Sequence, residues 1–195
     1  KPHVVFNTLN SIYALVDQGA AERASSMLLN LSHFLRYSLD HGAEQSVPLS
    51  EEVHAANLYL SIEQARFADR LAVEFAITQE VQRALVPSFL LQPLIENAVK
   101  HAIAQSEDGG AIRVVAYREE SALLLTIEDS GADATASKAS LRSQGGGLGL
   151  KNVQARMTTL YGTQGSLVLG KSDLGGFRVD LCFPFETVGQ AIAND

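Results

Sequence analysis

Three short stretches carry residue types that could do chemistry. The first is Gly145-Gly146-Gly147-Leu148-Gly149. Glycines let a backbone approach an anion and expose its N–H groups, and a helix that starts just after adds a favourable dipole. A glycine-rich surface loop reads the same way. No Gly-Lys-Ser/Thr follows, and the residues before it are a polar loop rather than a strand, so neither a Walker loop nor a dinucleotide fingerprint fits. The second stretch, Glu128-Asp129-Ser130-Gly131, ends a strongly apolar run. Asp129 could simply cap a turn. Alternatively its carboxylate accepts a hydrogen bond from an adenine amino group, which would repel the oxo group of guanine, and Gly131 lets the base sit close. The third, Leu90 to His101, places Asn97, Lys100 and His101 at i, i+3 and i+4 on one polar edge of an apolar helix. An amide oxygen suits Mg²⁺ and a lysine suits phosphate, although a solvated helix edge has the same pattern.

Positioning these residues needs a core, and the bulk properties allow one. Of 195 residues, 46% are hydrophobic and 19% charged, as in a globular chain. The net charge of −7 comes with no basic block, which argues against nucleic acid as a partner. The lone cysteine, Cys182, forms no internal disulfide framework and falls on the outward side of the alternation Phe177, Val179, Leu181, Phe183. No apolar stretch reaches the roughly 18–20 residues that span a bilayer. No signal peptide is recognisable, and the chain opens on Lys1 rather than Met, as a fragment would.

The first part reads as helices. Val5, Leu9, Ile12 and Val16 form one stripe, ending at Gly19; Leu28, Leu31, Leu35 and Leu39 form another, ending at His41-Gly42. A third helix is expected from Pro48, with Ser50 as N-cap and Glu51 and Glu52 in its first turn, running to about Phe67. From Leu71 the period changes to two, through Val73, Phe75 and Ile77. A helix at 88–103, strands at 112–115 and 123–127 about a charged turn at Arg118-Glu119-Glu120, a small-residue polar loop at 132–144, a helix at 150–161 and strands at 166–169 and 177–183 follow. The expected class is α+β: an N-terminal helical hairpin and dimerisation region at 1–68, an α/β sandwich with a mixed sheet at 69–186, and a tail at 187–195.

The phrases "LLQPLIENAVKHA", "IEDSGA" and "GGGLGLKNVQARMTTLYG", in that order, resemble the ATP-binding domain of sensor histidine kinases, where they form the N box, the adenine box and the glycine-rich lid. "KPHVVFNTLNSI", "LRYSL" and "VPLSEEVHAANLYLSIEQARF" resemble the LytS-type subfamily within that group, and the likeness covers residues 1–185. It implies ATP and Mg²⁺ as cofactors, His3 as phosphoacceptor and Asn97 as Mg²⁺ ligand. It places Lys100 and His101 near the phosphates, Asp129 and Gly131 at adenine, and Gly145, Gly147, Leu148 and Gly149 in the lid. Asn7, one turn after His3, could orient the imidazole or merely be solvated.

A response regulator, a homodimeric state, and a cytoplasmic location below an upstream membrane anchor are further implications. Departures from the family pattern are Val4-Val5 for larger residues, Ala102 after His101, and Ser130 for an asparagine. Gyrase- and Hsp90-like ATPases share the nucleotide fold but carry a water-activating glutamate four residues before the asparagine. Here that position is Pro93, which cannot take a proton. A degenerate module that binds nucleotide without transfer is the remaining alternative.

Overall fold

The first helix, α1 (Pro2–Asp17), opens on a proline, whose missing N–H is no loss in a first turn. It closes where Gly19 turns left-handed (φ 73°) and the Ala20 N–H reaches back to Leu15 O at 2.8 Å. Then α2 (Ala21–Asp40) runs back along it. The computed structural model describes residues 2–41, 45–67, 70–104, 108–131 and 147–188.

Both helices differ from the expected stripes. On α2 the buried face is Ala24, Met27, Leu31, Phe34 and Tyr37, while Leu28, Leu35 and Leu39 are 52%, 37% and 82% exposed. The helix carries two apolar faces, and the one with the aromatic rings goes inward. Phe34 meets Tyr59 at a ring separation of 6.2 Å, and Tyr37 meets Phe89 edge-on at 6.0 Å. On α1, Thr8 and Leu15 are buried, whereas Phe6, Leu9, Tyr13 and Val16 face outward.

Ser50 is not a cap. A short strand, β1 (Ser46–Pro48), runs directly into α3 (Leu49–Phe67). It pairs antiparallel with β3 (Leu85–Pro87), and the Leu49 N–H donates to Ala84 O at 2.8 Å. A neighbouring segment thus satisfies the donor that a capping side chain would otherwise take. Neither short strand shows a periodic signal, because three residues are too few to alternate.

The main sheet has the order β2-β4-β5-β7-β6, formed by β2 (Leu71–Ile77), β4 (Gly110–Glu119), β5 (Ala122–Asp129), β7 (Phe177–Pro184) and β6 (Ser166–Lys171). The pair β2–β4 is parallel and the rest antiparallel. Two helices, α4 (Leu91–Ala104) and α5 (Gly147–Tyr161), pack together and against the sheet. The β4–β5 turn lies one step later than expected, with Glu120 at φ 52° and Arg118 and Glu119 still in the strand. Ile112, Val114 and Ala116 alternate inward from β4, Leu123, Leu125 and Ile127 from β5, and Phe177, Val179, Leu181 and Phe183 from β7. Cys182 falls on the outer face, opposite Leu124. One core cluster joins this layer to Phe34, Val47, Leu49, Tyr59 and Leu60 of the helical part.

Candidate nucleotide-binding site

The period-two rule aims the key carboxylate. Asp129 shares parity with Leu123, Leu125 and Ile127, so it points into the helix layer at the end of β5 and is 2% exposed. Its Oδ1 accepts the Gly131 N–H at 2.9 Å and the Phe177 N–H at 3.3 Å. Its Oδ2 takes no hydrogen bond within the described residues and lies 3.5 Å from His101 Nδ1. That nitrogen is itself buried and without a hydrogen-bond partner there. An acceptor and a ring nitrogen, 3.5 Å apart and without a hydrogen bond among the described residues, face one cleft.

The cleft is lined by Leu94, Asn97, Ala98 and His101 of α4, Ile127 and Asp129 of β5, Leu150 of α5, and Phe177 and Val179 of β7. Its enclosed volume, about 10 Å³, is room for one water. A planar base is far larger than this space. Asn97 is half-buried in the cleft wall. His101 is held by the edge of the Phe177 ring, at 5.9 Å and 90°.

Beside Asp129, glycine is required at two places by the protein itself. A Cβ on Gly131 would collide with the His101 carbonyl, and one on Gly176 with the Asp129 carboxylate. Gly176 was not signalled by any motif, yet it lets the β6–β7 hairpin close over Asp129, its N–H donating to Asp129 O at 3.1 Å. The same hairpin is tied down by Glu128, the outward neighbour of Asp129. Its Oε1 receives Arg113 Nη1 at 2.9 Å and its Oε2 receives Ser172 Oγ at 2.9 Å. The paired glycines 175–176 before a strand were the signal available in the sequence.

The remaining expected residues fall in two groups. Gly147 and Gly149 open α5, and Gly149 packs on the Pro93 ring, a Cβ there coming to 3.2 Å. Pro93 faces a cavity of about 410 Å³ shared with Val4, Val5 and Asn152, not the base cleft. Lys100 also faces away from the cleft: it lines a cavity of about 320 Å³ with Asn7, Glu63, Arg66 and Glu96. Burial holds the Glu63 carboxyl above its ordinary range, against the pull of Arg66 at 3.2 Å. His3 lies in the first turn of α1, four residues before Asn7, which is exposed. Gly145, the loop at 132–144 and the side chain of Leu148 lie outside the described residues.

Among the described residues no three His, Cys, Asp or Glu converge on a metal position. A divalent ion here would rest on the Asn97 amide, water and the oxygens of a bound ligand, a donor set that suits Mg²⁺.

The family profile described as "Histidine kinase" matches residues 1–71. That described as "Histidine kinase-, DNA gyrase B-, and HSP90-like ATPase" matches residues 86–187. The sensor protein LytS of Staphylococcus haemolyticus is 35% identical across 98% of this chain and 34% of its own length. The sensor histidine kinase BtsS of Escherichia coli K12 is 40% identical across 83% of this chain and 28% of its own. The chain thus spans about a third of the length of the curated relatives it matches. In fold it is similar to the Acinetobacter baumannii histidine kinase AdeS, with a TM-score of 0.54 at 16% identity, over 94% of this chain and 96% of the other.

Proposed function

The chain belongs to the histidine kinase-, DNA gyrase B- and HSP90-like ATPase family, within its LytS-type histidine kinases, and on that premise we propose that it moves the γ-phosphoryl group of ATP to His3 and then to an aspartate of a response regulator. The observation that carries this reading is the Asp129 carboxylate, one oxygen tied to backbone N–H groups and the other turned to His101 in the cleft. In this reading Oδ2 accepts from the adenine amino group, His101 packs beside it, and Gly131 lets the strand end lie against α4. The Asn97 amide holds Mg²⁺, which when bound neutralises phosphate charge. Lys100, on the α4 flank nearest Asn7, draws the phosphate tail towards the acceptor helix. Gly145, Gly147, Leu148 and Gly149 form a lid whose N–H groups close on the phosphates.

Residues 1–68 act as the phosphoacceptor and dimerisation region and 69–186 as the nucleotide domain. The outward apolar stripes of α1 and α2 support a homodimer, and the curated relatives support a membrane anchor upstream, with this part on the cytoplasmic side. Pro93 supplies no base for water, so transfer rather than hydrolysis is the fate of the nucleotide. Incubation with γ-labelled ATP and Mg²⁺ should leave acid-labile, alkali-stable label that His3→Gln removes. Label that persists in His3→Gln refutes the acceptor. A wild-type protein that binds ATP without taking label is a binding module, not a kinase.

A further inference from the structure

Neighbouring residues of α4 face opposite ways. Asn97 lines the base cleft, while Glu96, about 100° round the helix, lines both cavities that α1 helps to form. One of them it lines together with Val4 and Val5, the other together with Asn7. These residues bracket the first turn of α1, the turn that carries His3. Glu96 is half-buried, and Gln92 Nε2 donates to its Oε1 at 2.9 Å, which fixes the side chain. A carboxylate so held can accept further hydrogen bonds.

We propose that Glu96 is a positioning residue for His3 of its own chain, its carboxylate accepting the N–H of the imidazole so that the other ring nitrogen presents its lone pair to the γ-phosphorus. This rests on the kinase reading above. Asn7 cannot do the same alone, because an amide both donates and accepts and so leaves the tautomer open, whereas a carboxylate only accepts. In the transfer the unprotonated ring nitrogen forms the N–P bond. The bond from the γ-phosphorus to its bridging oxygen breaks, ADP leaves with that electron pair, and the proton on the other nitrogen stays in the hydrogen bond to Glu96. A single turn of α4 then serves both partners of the reaction, one residue holding the nucleotide side and the next the acceptor side.

The test uses full-length protein and γ-labelled ATP, with autophosphorylation rate and ATP KM measured separately and folding followed by urea melts. Glu96→Gln should lower the maximal rate about 100-fold, the scale of a lost proton-holding group, with KM for ATP and the melt unchanged. Glu96→Asp should recover part of the rate. A Glu96→Gln protein at wild-type rate overturns the proposal. So does a KM that rises in step with the loss, which would assign Glu96 to the nucleotide site, or a Glu96→Asp protein no faster than Glu96→Gln. Should Glu96→Gln not fold, Gln92→Leu, which frees the carboxylate from its tether, should still lower the rate at constant KM; an unchanged rate there overturns the proposal equally. Failure of the kinase reading looks different: the wild type itself takes no label, or His3→Gln keeps it.

Discussion

Asp129 commits Oδ1 to two backbone N–H groups and leaves Oδ2 for the cleft, so its two oxygens can be tested apart. In Asp129→Asn the amide oxygen keeps the bonds to Gly131 and Phe177, and the NH₂ takes the place of Oδ2. A donor then meets the donor of the adenine amino group. ATP affinity should fall about 100-fold or more, as when a polar pocket loses its match, while the melting midpoint moves by less than about 4 °C, the scale of 1 kcal/mol at this size. Equilibrium binding of a fluorescent ATP analogue measures the first and calorimetry the second; unchanged affinity refutes the adenine-reading role. At this scale the sequence carried the position of Asp129 plainly, because strand parity alone aims it inward. It could not carry the partners of Asp129. Gly176 and Phe177 come from a hairpin, Phe177 lying 48 residues on, and nothing local marks their approach. The spacing of Asn97, Lys100 and His101 put them on one edge, but the helix divides that edge between two spaces, with Lys100 on the side of Asn7.

Among the elements, α3 has a duty that its own sequence hides. Glu52 is 2% exposed, and from there its Oε1 accepts the Phe89 N–H at 2.6 Å and the Tyr37 hydroxyl at 3.0 Å. Its Oε2 accepts the Leu91 N–H at 2.9 Å, at the first residue of α4. One carboxylate thereby caps α4 from a distant element and joins α2, α3 and α4. Phe89, one of these donors, has a left-handed backbone at φ 59°. In the sequence Glu52 is only a first-turn acid, favourable to the helix dipole; its burial depends on α4 folding over it. Glu52→Gln replaces an acceptor by a donor facing one of these N–H groups. We expect a loss of about 2 kcal/mol in urea melts, the usual cost of stranding a buried polar group; a loss below about 0.5 kcal/mol, a surface value, would refute the capping role. Burial also holds the carboxyls of Glu52 and Glu63 above their ordinary range. The folded chain therefore binds protons more readily than the unfolded one. Their contribution to stability is full below the unfolded value of about 4.5 and is lost as pH rises through the folded value. Glu63→Gln should flatten the fall in stability as pH rises above about 4.5, and an unaltered slope refutes the assignment of that fall to Glu63.

For the molecule as a whole, the helical stripes were legible as apolar but not as inward or outward. Period alone cannot rank two apolar faces of one helix, and the aromatic pair Phe34 and Tyr37 settles it only once α3 and Phe89 are in place. What remains outside is a surface: Phe6, Tyr13 and Val16 are 63%, 74% and 60% exposed, and Leu28, Leu29 and Leu39 52%, 57% and 82%. Apolar patches of this kind mark an interface. Charging it, as in Tyr13→Glu with Leu28→Glu, should leave the inner core untouched and halve the mass found by sedimentation equilibrium. A double variant that sediments as the wild type does would place the interface elsewhere. The same variant decides how transfer runs. Val4 and Asn7 line cavities with Glu96 inside one chain, so a monomer still holds the proposed acceptor turn and α4 around shared cavities. The monomeric variant should therefore take label at a rate constant independent of protein concentration. If it keeps its ATP affinity but takes label only when mixed with a chain carrying an intact interface, transfer runs between protomers, and the cavities that α1 and α4 share within one chain play no part in it.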